Sequence, residues 1–206
     1  MTFVLGLTGS VGMGKSATAA IFRKFGVPVH DADATVHALY RGEAVPLIAK
    51  AFPSAVREGV VDRAALGHLV LDNPDNLRAL EAIVHPLVRA AEEKFLAGLH
   101  SDREPLAVLD IPLLFETGGE TRCDAVLVVT ASPEVQRARV LARDGMTEQK
   151  FKSILAKQMP DAEKRKRAHF RVDTGSGFAS AGAQVRSILT CLAARPGRVL
   201  RHSLKI

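Results

Sequence analysis

Gly9-Ser10-Val11-Gly12-Met13-Gly14-Lys15-Ser16 is the stretch on which the reading of the fold turns. It follows the apolar run Phe3-Val4-Leu5-Gly6-Leu7 and precedes a helical pattern over residues 17–25. Strand, tight glycine turn and helix start, in that order, give the spacing G-x-x-x-x-G-K-[ST] its meaning as a phosphate-binding loop. The glycines let the backbone turn tightly and approach a ligand closely. Successive N–H groups then point inward, and the following helix adds its positive end. Lys15 brings a mobile charge for terminal phosphates, and Ser16 a hydroxyl suited to Mg²⁺. An ordinary glycine-rich turn is the competing reading, disfavoured because strand, loop, lysine and helix all agree.

A chain of 206 residues suffices for one α/β domain with insertions and a well-buried core. The net charge of +6 favours anionic partners, for which nucleotides suffice. Much of the excess lies in Lys164-Arg165-Lys166-Arg167 and in a tail carrying Arg195, Arg198, Arg201 and Lys205. With no nucleic-acid-binding signature beside them, these runs read as solvated faces. The two cysteines, Cys123 and Cys191, form no C-x-x-C pair and suit a reducing compartment. No basic leader precedes the loop, and no apolar run approaches the ~20 residues of a membrane span. The expectation is a cytoplasmic monomer that engages neither membrane nor nucleic acid.

Along the chain, residues 27–30 form a short strand candidate ending in Asp31-Ala32-Asp33. Residues just past a strand's C-terminal end face the ligand crevice of a parallel sheet. Either aspartate also suits the N-cap of a helix over 34–40. From 33 to 99 the pattern is helical, with Val45, Leu47, Ile48 and Phe52 on one face. Asp62 reads as a second N-cap, and Asn73-Pro74 as another helix start. Leu77, Leu80, Ile83 and Val84 follow at helical spacing, and Pro86 is expected to kink or restart that helix. No buried strand pattern occurs in this stretch, which reads as a helical insertion. Strands resume at 106–111 and 125–130, as in a parallel sheet buried on both faces. Pro112-Leu113-Leu114-Phe115-Glu116 lies between them, and Asp110 ends the first, where it could lie behind a Mg²⁺ ion or cap a turn. Two helices, 132–143 with Gln136, Arg137, Arg139 and Arg143, then 147–158, make a hairpin with a basic edge. A weaker strand at 170–173 and a helix over 178–194, with Val185, Ile188, Leu189 and Leu192 as its core face, complete the pattern.

A phosphate-binding loop alone does not specify a reaction. Helical insertions with room for an acceptor and a lid, and arginines in that lid, point to phosphoryl transfer. Asp33 is the candidate base for an acceptor hydroxyl. No N-K-x-D motif occurs, which disfavours a regulatory GTPase.

The ordered set Gly6-Leu7-Thr8-Gly9, Gly12, Gly14-Lys15-Ser16, Asp31-Ala32-Asp33, Asp62 to Leu66, His85-Pro86, Pro112 to Glu116, Gln136 with Arg139, Arg143-Asp144 and Gln158-Met159-Pro160 resembles the dephospho-CoA kinase family over residues 3–188. The resemblance implies transfer of phosphate from ATP to the ribose 3′-hydroxyl of dephospho-CoA, giving coenzyme A and ADP. It implies a P-loop NTPase three-layer α/β fold, a five-stranded parallel sheet with a helical acceptor-binding insertion and a helical lid. The matching division is a nucleotide-binding core (1–32, 104–136, 168–194), a helical CoA-binding domain (33–103), a lid (137–167) and a basic tail (195–206). By family role Asp33 is the general base, acting with Lys15 and Arg139. ATP is held by Val11, Gly12, Met13, Gly14, Lys15, Ser16, Ala17 and Arg143, with Ser16 toward Mg²⁺. The acceptor site takes Asp33, Arg63, His85, Leu114 and Glu116.

Three departures from the family pattern stand out. Ala17 replaces a second hydroxyl residue after the lysine. Ser10 stands where glycine is usual, so the loop must avoid positive φ there. Ala168-His169 and Asp173-Thr174 differ around the fifth strand, leaving the adenine contacts unassigned. Two other readings stay open: another small-molecule nucleoside or nucleotide kinase, and a nucleotide-dependent module that binds nucleic acid through its basic tail. Acceptor-dependent ADP release separates the first from dephospho-CoA kinase, and salt-dependent nucleic-acid affinity marks the second.

Overall fold

The computed structural model describes residues 1–71, 73–193 and 195–197. The elements run β1 (Phe3–Thr8), α1 (Lys15–Lys24), β2 (Val29–Asp31), α2 (Ala32–Leu39), α3 (Val45–Ala51), β3 (Val56–Arg57), β4 (Val60–Val61), α4 (Arg63–Val70), α5 (Pro74–Ser101), β5 (Leu106–Asp110), β6 (Ala125–Thr130), α6 (Pro133–Leu141), α7 (Glu148–Ala156), α8 (Asp161–Arg167), β7 (Phe170–Asp173) and α9 (Gly177–Leu192). The chain divides into two compact units, Met1–His30 with Leu99–Ile206, and Asp31–Gly98.

The larger unit is organised on a five-stranded sheet of order β2-β5-β1-β6-β7. β1 runs parallel to β5 and β6, and β6 parallel to β7. β1 and β5 are buried at every position, the signature of a parallel sheet covered on both faces. Ala19, Ile21 and Phe22 of α1 and Ala181, Val185, Ile188 and Leu192 of α9 join Leu5, Leu7, Val108 and Leu127 in one core. Because the strands are parallel, the segments leaving β1, β5, β6 and β7 emerge at one edge. The register sets Leu7 beside Asp110 and Thr130 beside Asp173. This is the edge where open α/β sheets bind ligands.

The smaller unit has its own core, with Leu39, Ile48, Phe52, Leu66, Leu80 and Val84 buried. Two residues expected on its apolar faces, Leu47 and Leu77, are instead exposed. The unit also contains strands where none was expected: β3 and β4 form an antiparallel hairpin. Its turn is Glu58-Gly59, both with positive φ (51° and 77°). Such two-residue turns usually show as Asn-Gly or Asp-Gly, so Glu-Gly left little signal. Pro86 neither ends nor restarts a helix, since α5 is continuous from Pro74 to Ser101. Pro86 and Ala82 both lie exposed, so the Ala82 carbonyl that loses its helical partner faces solvent.

The region after β6 holds three helices rather than a hairpin, and the third corrects the reading of the basic run. Lys164 is completely buried and ion-pairs with Glu116 at 2.8 Å. Asp161 accepts from the Thr130 hydroxyl at 2.9 Å and pairs with Arg165 at 3.0 Å. The Arg167 guanidinium pairs with Glu120 and stacks 4.5 Å over the Phe115 ring. Among these four residues, Lys166 is the one that behaves as a solvated charge, 72% exposed beside Glu163. α9 ends at Leu192, two residues short of expectation. Of the basic tail, Arg195 donates to the Cys191 carbonyl, while Arg198, Arg201 and Lys205 lie outside the described residues.

Candidate functional site

The glycine loop leaves β1 and enters α1 through two left-handed residues, Gly12 (φ 78°) and Gly14 (φ 93°). A side chain at Gly12 would also meet Val140 Cγ2 at 2.5 Å and the Gln136 carbonyl at 2.9 Å. Ser10 is buried and is not among the residues with positive φ, so the serine is accommodated without backbone strain. By helix geometry the first N–H groups of α1, those of Lys15, Ser16 and Ala17, have no intrahelical partner; the first i→i−4 bond is Thr18 N–H to the Gly14 carbonyl. Gly14 precedes them with no side chain to fill the cradle. Donors and helix end together form a site for an anion.

Lys15 Nζ lies 2.5 Å from Asp110 Oδ1, and Asp110 is 2% exposed. Thus Asp110, at the end of β5, sets the height of the lysine above the sheet edge. Ser16 is exposed on the first turn of α1. Among the described residues no group of three or more His, Cys, Asp or Glu side chains forms a metal cage. The Ser16 hydroxyl, on the first turn of α1, and the Asp110 carboxylate, at the end of β5, are both hard oxygens. Such a sparse set fits Mg²⁺, which keeps several waters and binds largely through substrate phosphates.

Residues distant in sequence fix the rest of the loop. Val11 is held by two carboxamides: Gln136 Nε2 donates to its carbonyl at 2.7 Å, and its N–H donates to Gln158 Oε1 at 3.1 Å. The Thr174 hydroxyl donates to the Met13 carbonyl at 2.8 Å. Arg139 places both ends of its guanidinium fork on Thr174, Nη1 on Oγ1 and Nη2 on the carbonyl, each at 2.8 Å. Val11, Gly12, Met13, Gly14, Lys15 and Arg139 are therefore gathered into one connected structure. Ala17 follows Ser16 in α1, its N–H at the helix start. Arg143 is not gathered in; it lies exposed beyond the end of α6. Gln136 and Gln158 belong to the family pattern and Thr174 to a departure from it, but the sequence assigns none of them this role of holding the loop.

The loop after β5 departs from its expected role. Leu114 is completely buried, and its side chain closes over Gly6 and Gly119, so it packs the loop; the exposed neighbour is Leu113. Glu116 Oε1 accepts from the Met159 N–H at 2.7 Å and pairs with Lys164 at 2.8 Å. Burial pushes the Glu116 carboxyl up, but the Lys164 ammonium and the Met159 N–H outweigh it. The net effect holds Glu116 below the usual glutamate range.

Asp33, Arg63 and His85 belong to the smaller unit, one on each of α2, α4 and α5. The cap of α2 is Asp31, which accepts from Ala34 N–H at 3.0 Å. That leaves Asp33 exposed in the first helical turn with its carboxylate uncommitted to capping. Asp62 caps α4 by accepting from the N–H groups of Ala64 and Ala65, which sets Arg63 as the first, exposed residue of that helix. Burial raises the Tyr40 phenol, and the Arg63 charge partly offsets that. His85 is exposed on α5, beside Glu81, Pro86 and Arg89.

A model of the family described as dephospho-CoA kinase matches residues 3–179. A dephospho-CoA kinase of Rhodopseudomonas palustris is 58% identical over 195 residues, covering 95% of this chain and 98% of that protein. The crystal structure of TT1252 from Thermus thermophilus superposes with a TM-score of 0.82 at 39% identity, covering 92% of this chain and 97% of that one. Dephospho-CoA kinase from Campylobacter jejuni, at 23% identity, shares the fold with a TM-score of 0.65 over 93% of this chain and 97% of its own. With the phosphate cradle, the sheet order and the match from β1 into α9 in agreement, the chain belongs to the dephospho-CoA kinase family.

Proposed function

We propose that the chain transfers the γ-phosphoryl group of ATP to the ribose 3′-hydroxyl of dephospho-CoA, yielding coenzyme A and ADP. The observation that carries this reading is the family match over residues 3–179, which contains every residue assigned a role. The first N–H groups of α1 and the Lys15 ammonium bind the β and γ phosphates and stabilise charge that develops on the transferring group. Ser16 and Asp110 would hold Mg²⁺, which supplies further neutralisation of the phosphates. Asp33 takes the proton of the 3′-hydroxyl, the freed oxygen bonds to the γ-phosphorus, and the bond to the bridging oxygen of ADP breaks. Arg139, already forked onto Thr174 at the rim of the loop, orders the phosphate side of the site, and Arg143 supplies an exposed charge at the lid.

In this reading residues 31–98 bind the CoA moiety through Arg63 and His85, and the helices after β6 cover the nucleotide. Because α8 is bolted to β6 and to the loop after β5, the covering motion falls on the end of α6 and on α7. The chain works as a monomer in the cytoplasm, where two free cysteines are compatible with reducing conditions. Incubation with ATP and dephospho-CoA tests the reaction: the product gains one phosphoryl group, and phosphorus NMR places it on the 3′-oxygen. A phosphoryl group elsewhere, or ADP released without acceptor, contradicts it.

A further inference from the structure

Glu116 belongs by resemblance to the acceptor site, yet its hydrogen bonds run toward the nucleotide side. Its two partners distant in sequence both fall on one oxygen, Oε1: the Met159 N–H at 2.7 Å and the Lys164 ammonium at 2.8 Å. Oε2 is buried and has no hydrogen-bond partner among the described residues. A fully buried lysine and an orphaned carboxylate oxygen are a poor way to gain stability, because desolvation offsets most of the attraction between the charges. What the pair does achieve is position. It fixes the peptide N–H of Met159, and residue 158 lies one Cα step of ~3.8 Å away. Gln158 then accepts the Val11 N–H at 3.1 Å from a point set by that anchor. At the first residue of α8, Asp161 accepts from the Thr130 hydroxyl and so ties the start of the helix to the end of β6.

We propose that Glu116, Lys164 and the Met159 amide form a clamp that sets the Gln158 carboxamide against the crest of the phosphate loop, making Glu116 and Lys164 positioning residues for ATP. The Val11 peptide is held on both sides, its carbonyl by Gln136 and its N–H by Gln158. The loop is thereby ordered before nucleotide arrives, and binding loses less conformational entropy. Gln158 is the contact, Met159 the anchor, and the 116–164 ion pair the support. The inference rests on the reading of residues 9–16 as the ATP phosphate site.

Steady-state kinetics on the full chain, varying ATP and dephospho-CoA separately, tests it. Gln158→Leu, Glu116→Gln and Lys164→Met each raise KM for ATP about three- to tenfold, the size of one lost hydrogen bond, and leave KM for dephospho-CoA unchanged. Adding Gln158→Leu to Glu116→Gln gives no further increase, since both break one linkage. Lys164→Met risks misfolding because Lys164 is fully buried; Gln158→Leu changes a half-buried side chain at a helix end and carries the test by itself. An increase confined to the dephospho-CoA KM in Glu116→Gln overturns the proposal and returns Glu116 to the acceptor site. A lower ATP KM in Gln158→Leu also overturns it, by showing that Gln158 competes with phosphate. Failure of the underlying reading appears separately, as wild-type turnover without saturable ATP dependence.

Discussion

The phosphate loop was legible because its chemistry is written in adjacent residues. Spacing alone placed Gly12, Gly14, Lys15 and Ser16, and only Ser10 left its backbone geometry in question. What the sequence could not show is the set of side chains that hold the loop. Gln136, Gln158 and Thr174 lie 125, 147 and 161 residues from their partners in the loop. No local pattern encodes contacts made only when β1, β6 and β7 come together. Thr174 illustrates the consequence, for it bears on Met13 and Arg139 at once. Thr174→Val leaves the Met13 carbonyl and one Arg139 donor without this partner. We expect a stability loss of about 1–3 kcal/mol in denaturant titration and a weaker ATP complex by calorimetry. Unchanged ATP affinity would mean that the Arg139 fork is merely structural. Asp33 makes the complementary case, because the proposed mechanism gives it a role in chemistry rather than in binding. Asp33→Asn is expected to lower kcat by about 10²–10⁴ with KM for ATP preserved. A variant turning over like wild type removes Asp33 as the base.

Among the elements, periodicity identified the strands with long buried runs and the helices with capping residues. β1, β5 and β6 carry no polar side chain before their last residues, Thr8, Asp110 and Thr130, and Asp62 and Ser132 announce α4 and α6 by their capping hydrogen bonds. The hairpin of β3 and β4 went unread because its strands are two residues each and its turn is Glu-Gly. α8 was hidden by composition: a Lys-Arg-Lys-Arg run has the look of a solvated face, and only the tertiary partners Glu116, Asp161, Glu120 and Phe115 make it an anchor. That anchor is pH-sensitive. The folded Glu116 carboxyl is held below its usual value, so its contribution to stability is present above the unfolded value of about 4.3. It is lost as pH falls through the lower folded value. Wild type should therefore exceed Glu116→Gln in stability at neutral pH, with the gap narrowing below about pH 4. Urea midpoints measured from pH 7 to pH 3 give that gap; one that stays constant contradicts the charge-based account of the clamp.

For the molecule as a whole, two cores divide the labour. The larger unit carries the phosphate loop with every partner that orders it, and the smaller carries Asp33, Arg63 and His85. Phe22→Ala opens a cavity under α1 and is expected to cost about 3–5 kcal/mol along with ATP affinity. Ile48→Ala costs about 2–5 kcal/mol in the other core, and at a temperature where the variant is folded it should bind ATP as wild type does. Calorimetric titration with ATP distinguishes the two variants, and equal losses of affinity would refute this division. The central claim is the identity of the acceptor. It is tested most directly by ADP release measured by a coupled assay with dephospho-CoA, nucleoside monophosphates and shikimate as alternative acceptors. The account predicts saturable ADP formation with dephospho-CoA at a kcat/KM at least about a hundredfold above any other acceptor, the scale expected when a site pairs specific polar groups of its substrate. Comparable turnover with a nucleoside monophosphate or shikimate, or none with dephospho-CoA, would contradict it.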